Sequence, residues 1–189
     1  MTPEQAHQAL SQSTKADVGK FYGDKAHLAL GAGLIFERIL SPLFSNDENL
    51  FLTVRQPVYV LTHECDVDPD NSRPFNDTVA YCPVIPLAAF VRRFSEKWPD
   101  DEKMSKFLGN VAAREVGRVV YLPPGPGLLG LGALIYLNSI NSTHVSAFSD
   151  QQPVAALSEY GLREVDLAVR NSLLREKAES LSFSPRITE

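Results

Sequence analysis

The strongest constraint on this chain is a pair of short apolar runs on either side of a turn cluster. Pro57-Val58-Tyr59-Val60-Leu61-Thr62 and Thr78-Val79-Ala80-Tyr81-Cys82-Pro83-Val84-Ile85 flank Asp68-Pro69-Asp70-Asn71-Ser72. Val, Ile, Tyr and Thr suit a pleated, buried backbone, whereas Pro, Asp, Asn and Ser between them stop it. The two runs predict neighbouring β-strands. Directly afterwards the period changes: Leu87, Phe90, Val91, Phe94 and Trp98 recur at helical spacing and predict a helix with one apolar face. A chain that passes from strands to helices and back to strands is of the α+β class.

The remaining elements follow from local signals. Thr2-Pro3-Glu4 supplies an N-cap, a first-turn proline and a first-turn acid, predicting a helix from Pro3 to about Ser11. Residues 31–39, with the run Leu34-Ile35-Phe36, and Phe51 to Val54 predict strands. Pro99-Asp100-Asp101 breaks the helical pattern, which resumes from Glu102 to Glu115. Arg118 to Leu122 and Ala133 to Ile140 read as strands joined by a loop rich in Pro and Gly, placed to act as a lid. Ser158 predicts the cap of a helix running to about Ser180, with Leu157 and Leu162 at hydrophobic-staple positions. At 189 residues the chain reads as one domain, 1–189, with strands over about 29–148, a helical insertion at 87–115 and a C-terminal helix at 158–180.

Charge and cysteine content narrow the setting. A net charge of −5 counts against a large phosphate-binding footprint, which needs surplus Lys and Arg. The basic stretch from Arg92 to Arg118 is interleaved with Glu96, Asp100, Asp101, Glu102 and Glu115 and reads as a solvated helical face. Two cysteines do not make a disulfide framework. The N-terminal stretch is polar, and the longest apolar run, Leu28 to Leu40, is broken by Gly31, Gly33, Glu37 and Arg38, so neither a leader nor a membrane span is expected. The expectation is a cytoplasmic location.

The order of these pieces resembles the MazF/PemK family, mostly toxin endoribonucleases on an SH3-like barrel. Gln56-Pro57-Val58-Tyr59-Val60-Leu61-Thr62 is similar to that family's Arg-Pro-(apolar)-Val-Leu-Ser strand, and Thr78 to Val84 to its Val-x-Val-x-Pro-(Ile/Leu) strand. Ala133 to Ile140, then Leu157-Ser158 through Val165-Asp166 to Leu173, resembles the closing strand and C-terminal helix. The resemblance implies a small, bent antiparallel β-barrel with a helical insertion and a C-terminal helix. It also implies a homodimer or a partner protein, and a toxin–antitoxin or phage-defence setting. Gln56 stands where the family has its catalytic arginine, and Arg55, one residue earlier, lies on the opposite face of a strand. Val84, Ile85 and Pro86 stand where the catalytic threonine is expected. What the resemblance implies is therefore a degenerate ribonuclease site that binds nucleic acid or protein, with Arg55, Gln56 and Asp68 as binding residues.

Thr62-His63-Glu64-Cys65-Asp66 resembles a Ser/Thr-Gln-x-Cys-Asp motif of a divergent group of barrel proteins, with His63 in the glutamine position. On extended backbone His63 and Cys65 share one face and Glu64, Asp66 and Asp68 the other. Four chemistries fit. Cys65 is a nucleophile beside His63 and Asp66, with His144 or His27 as its base, which would make the chain a hydrolase. Alternatively His63, Cys65 and Cys82 hold zinc with a carboxylate, as in a metal-dependent nuclease. Asp66, Asp68, Asp70 and Asp77 occupy positions 1, 3, 5 and 12 of a calcium loop, although Asn71 replaces its glycine and Asp77 its glutamate. In the last, Cys65 is a small buried residue and Asp66 holds the turn, as suits a structural accessory subunit.

Overall fold

The computed structural model describes residues 1–14, 16–24, 29–45, 49–71, 74, 76–95 and 100–173. Helix α1 (Pro3–Ser13) opens with a capping box: Thr2 Oγ1 accepts from the Gln5 amide at 3.3 Å, and the Gln5 side chain accepts from the Thr2 amide at 2.7 Å. A long hairpin follows, β1 (Leu34–Ser45) and β2 (Leu50–Val60), then a single turn α2 (Glu64–Val67) and the strand β3 (Thr78–Pro86). The helices α3 (Leu87–Ser95) and α4 (Asp101–Ala112) form the insertion, and β4 (Val119–Leu122) returns to the sheet. The chain continues through β5 (Ala133–Tyr136), β6 (Asn141–His144) and the two-residue β7 (Ala155–Ala156) into α5 (Glu159–Leu173). The expected strands at 51–54 and 57–62 are one continuous strand. Trp98, His27 and the last residues of the expected C-terminal helix lie outside the described residues.

Strand β3 organises a seven-stranded antiparallel sheet in the order β4-β5-β3-β2-β1-β7. One edge of β3 takes β2, from Val58 opposite Pro83 to Val60 opposite Tyr81. Its other edge takes β6 along Thr78–Tyr81 and β5 along Val84–Pro86. The single strand expected over 133–140 is broken by a 3-10 turn at Leu137–Ser139, which steps the register from β5 to β6. Side chains alternate between two cores, as pleating requires. Ile35, Tyr59, Cys82, Val84 and Ile135 enter one cluster with Phe21 and Leu157; Leu34, Phe36, Val58, Val60 and Tyr81 enter another with Phe148. Burial on both faces is why these strands read as unbroken apolar runs.

No ladder joins β4 to β7 among the described residues, so the sheet is open. Helix α5 fills the gap: its Val165 shares a cluster with Val120 and Leu122 of β4 and with Ala155 of β7. The helical insertion covers the far end of the sheet, where Leu87, Phe90, Met104, Leu108 and Val111 pack with Leu10 of α1 and with Tyr121 and Leu134. Arg92, Arg93, Lys103 and Lys106 are exposed, as a solvated face requires.

Two close approaches fix the periphery. Ser158 accepts from the Gly161 amide at 3.1 Å, capping α5, and its hydroxyl donates to the Lys20 carbonyl. Gly161 then lies so near Phe21 that a Cβ would fall 2.2 Å from the Phe21 carbonyl oxygen. The Pro- and Gly-rich loop after β4, expected as a lid, is strapped down instead. The Tyr22 hydroxyl donates to the Pro123 carbonyl at 2.6 Å, and Gly125 faces the Tyr22 ring too closely to admit a Cβ.

These contacts predict opposite outcomes for two Gly→Ala changes, read by urea denaturation. Gly161→Ala drives a methyl into backbone and destabilises by about 1–3 kcal/mol. Gly109→Ala, where the nearest atom to a new methyl is Ser13 Oγ at 3.8 Å, stabilises α4 by up to about 1 kcal/mol.

Candidate functional site

The Thr62–Asp68 segment begins where β2 leaves β3. Thr62 Oγ1 accepts from the Ala80 amide at 2.6 Å, and the Leu61 amide donates to the Ala80 carbonyl at 2.9 Å. The backbone then turns helical, which removes the two-face alternation expected of an extended segment. His63 caps α2: its Nδ1 accepts from the Cys65 amide at 3.3 Å. The Asn71 side chain donates to the Cys65 carbonyl at 2.7 Å, and Asp68 Oδ1 accepts from the Asp70 amide at 3.0 Å. Gly31 presses on this turn, with a Cβ there falling 2.8 Å from Glu64 Cβ. Val67 is the anchor, buried with Tyr81 and Phe148. Cys65 is exposed, correcting the expectation of a small buried residue, and Asp66 is exposed too.

This geometry bears on each chemistry. His63 Nδ1 also lies 3.6 Å from Glu64 Oε2, so this nitrogen is engaged within its own turn. His144 is used in the same way: its Nδ1 faces Ser146 Oγ at 2.9 Å and the Ser146 amide at 3.2 Å, capping a 3-10 turn, while its Nε2 lies 3.9 Å from Asp77. Cys82 sits opposite Tyr59 in the sheet, wholly buried, and burial pushes its thiol up from 9.0 to about 12. Cys82 thus faces the core while Cys65 faces solvent, and the two do not converge on one ion. Asp77, the last residue of the calcium-like series, accepts from the Thr78 hydroxyl at 3.1 Å at the start of β3. Among the described residues no three His, Cys, Asp or Glu side chains are grouped to hold a metal ion, so neither the zinc set nor the calcium set is assembled.

Arg55 and Gln56 lie on β2 where the hairpin leaves the sheet. The register of β1 slips between Phe36 and Ile39, and Ile39 then faces Gln56. Gln56 Nε2 is buried with no hydrogen-bond partner, while Arg55 is exposed and donates to the Arg38 carbonyl at 3.3 Å. Among the described residues, β1 and β2 beyond this point pair only with each other, because β7 reaches Leu34 and Ile35 alone and β3 reaches only Val58 to Val60. The hairpin continues past the rest of the sheet as a two-stranded ribbon over 42–45 and 50–53, from a base where Ile39 and Ser41 are buried and Ser41 Oγ donates to the Tyr81 hydroxyl at 3.2 Å. It presents Leu40 (49% exposed), Leu50 (44%), Phe51 (73%) and Leu52 (37%). Leu40 and Phe51 occupy one face and Leu50 and Leu52 the other. Sequence reasoning read 51–54 as a strand, which it is, and missed that its large side chains are exposed. The available signal was three consecutive large apolar residues, Leu50-Phe51-Leu52, directly after the polar run Asn46-Asp47-Glu48-Asn49.

No family model matches the chain and no curated protein matches it significantly, so neither comparison identifies a MazF/PemK family. Among the described residues no helix is long and apolar enough to cross a membrane.

Two measurements test the site. A thiol reagent at neutral pH is expected to label one cysteine per native chain, Cys65, and to reach Cys82 only on unfolding. Because the folded-state value of Cys82 is the raised one, its contribution to stability is intact below about pH 9 and falls away as pH rises toward 12. Gln56→Leu removes an unpaired buried donor at similar volume, and is expected to raise unfolding stability by roughly 1 kcal/mol.

Proposed function

We propose that this chain is a non-catalytic binding protein of MazF/PemK-like, SH3-type barrel architecture with a degenerate ribonuclease site. It acts in the cytoplasm, in a toxin–antitoxin or phage-defence setting, as the sequence resemblance implies. The projecting β1–β2 ribbon carries this reading. Isolated two-stranded hairpins are marginal in water, and large apolar residues on one raise that cost unless a partner covers them. The acidic net charge and the apolar ribbon favour protein over nucleic acid as that partner. A catalytic role finds less support: the Nδ1 atoms of His63 and His144 are engaged by backbone amides of their own turns, and Cys65 lines neither the cavity beside α5 nor the one beside Phe148.

The occupant in this reading is a second copy of the chain. The exposed parts of Leu40, Leu50, Phe51 and Leu52 amount to about two whole side chains, or roughly 400 Å² at about 200 Å² each. Two ribbons reciprocally embraced about a two-fold axis bury roughly twice that. This is the size of a weak, reversible association, and it suits a ribbon apolar on both faces.

Sedimentation across a concentration series tests the proposal. The wild-type chain is expected to pass from monomer to dimer in the micromolar range. Phe51→Asp, with its fold checked by circular dichroism, is expected to stay monomeric. A wild-type chain that stays monomeric to about 1 mM, or a variant that dimerises equally well, overturns the reading.

A further inference from the structure

A separate cavity of about 260 Å³ lies between the turn joining α4 to β4 and helix α5. Phe21, Val111, Val120 and Val165 make an apolar floor, and Arg114, Glu115, Glu164 and Asn171 bring polar groups to it. We propose that this cavity binds a small organic cation, an amine on a short apolar body.

The rim is built by an unusual helix end. Helix α4 closes with the paired bonds of a Schellman motif: the Glu115 amide donates to the Asn110 carbonyl at 2.8 Å and the Arg114 amide to Val111 at 3.0 Å. The left-handed position in that motif normally belongs to glycine, yet Arg114 occupies it at φ 64°. What a glycine there would lack is the guanidinium, whose Nη2 reaches across to Glu164 Oε2 on α5. A strained residue retained for a bond across a cavity mouth marks a built feature. On α5, Glu164, Ala168 and Asn171 recur at helical spacing, so one stripe faces the space.

Size and charge select the ligand. At about 30 Å³ per water-sized group the cavity holds roughly eight or nine heavy atoms. Among the described residues its lining carries two carboxylates, Glu115 and Glu164, and the guanidinium of Arg114, which is already paired with Glu164. An anion would displace Glu164 from Arg114 and face it unpaired. An ammonium joins the pair, donating to the half-buried Glu164 carboxylate and to the Asn171 carbonyl oxygen while its hydrocarbon covers the apolar floor.

Ligand-observed NMR on the full chain decides the matter with two matched probes, n-hexylamine and hexanoate. Hexylamine is expected to bind saturably in the millimolar range, with hexanoate at least about tenfold weaker. Glu164→Gln, which removes the charge, and Ala168→Leu, which fills the space, are each expected to weaken the amine about tenfold or more. Absence of saturation by hexylamine, equal binding of hexanoate, or amine affinity unchanged in both variants overturns the proposal. The two-probe comparison on the wild-type chain needs no variant to fold.

Discussion

The rest of this molecule is referred to β3, a strand that pairs on both edges. A buried strand needs partners for its amides and carbonyls, and β3 finds them in β2 on one side and in β6 and then β5 on the other. Because the partner changes along its length, the strand sets where the sheet turns. Its alternate residues also set two cores, with Val79 and Tyr81 on one face and Cys82 and Val84 on the other. A one-residue slip would exchange the two sets, and every other element is positioned by preventing that slip.

The elements with the strongest local chemistry were legible in advance. The apolar runs of β2 and β3, the caps Thr2 and Ser158 and the amphipathic stripe of α3 are each written in neighbouring residues. The α+β class and the antiparallel sheet follow from them. Barrel closure was not legible, because it depends on whether β4 and β7 meet, and that is decided by a two-residue strand and a packed helix. β5 and β6 also read as one strand, although the 3-10 turn that steps the register carries Asn138-Ser139, turn-forming residues that signal a break.

The candidate site shows why side-chain chemistry alone misleads. His63 and His144 are the residues an active-site search selects first, yet each puts Nδ1 on a backbone amide two residues ahead and starts a short helical turn. The imidazole here does what Asp or Ser does at other helix starts. Cys65 and Cys82, alike in sequence, have opposite fates because one lies on an exposed turn and the other faces inward beside Tyr59. Spacing along the chain carries no information about that difference. Strand facing does.

The prolines of the ribbon have a consequence for assembly beyond the folded chain. Exposed paired strands are the usual seed for fibrils, since each unpaired edge can template another strand without limit. Within the ribbon, Pro42 in β1 carries no amide hydrogen, so that strand offers no unbroken row of donors, and Pro57 interrupts β2 at the ribbon's base. The hairpin can present apolar side chains while its backbone discourages end-to-end growth. The same surface is thereby steered toward closed, finite association and away from aggregation.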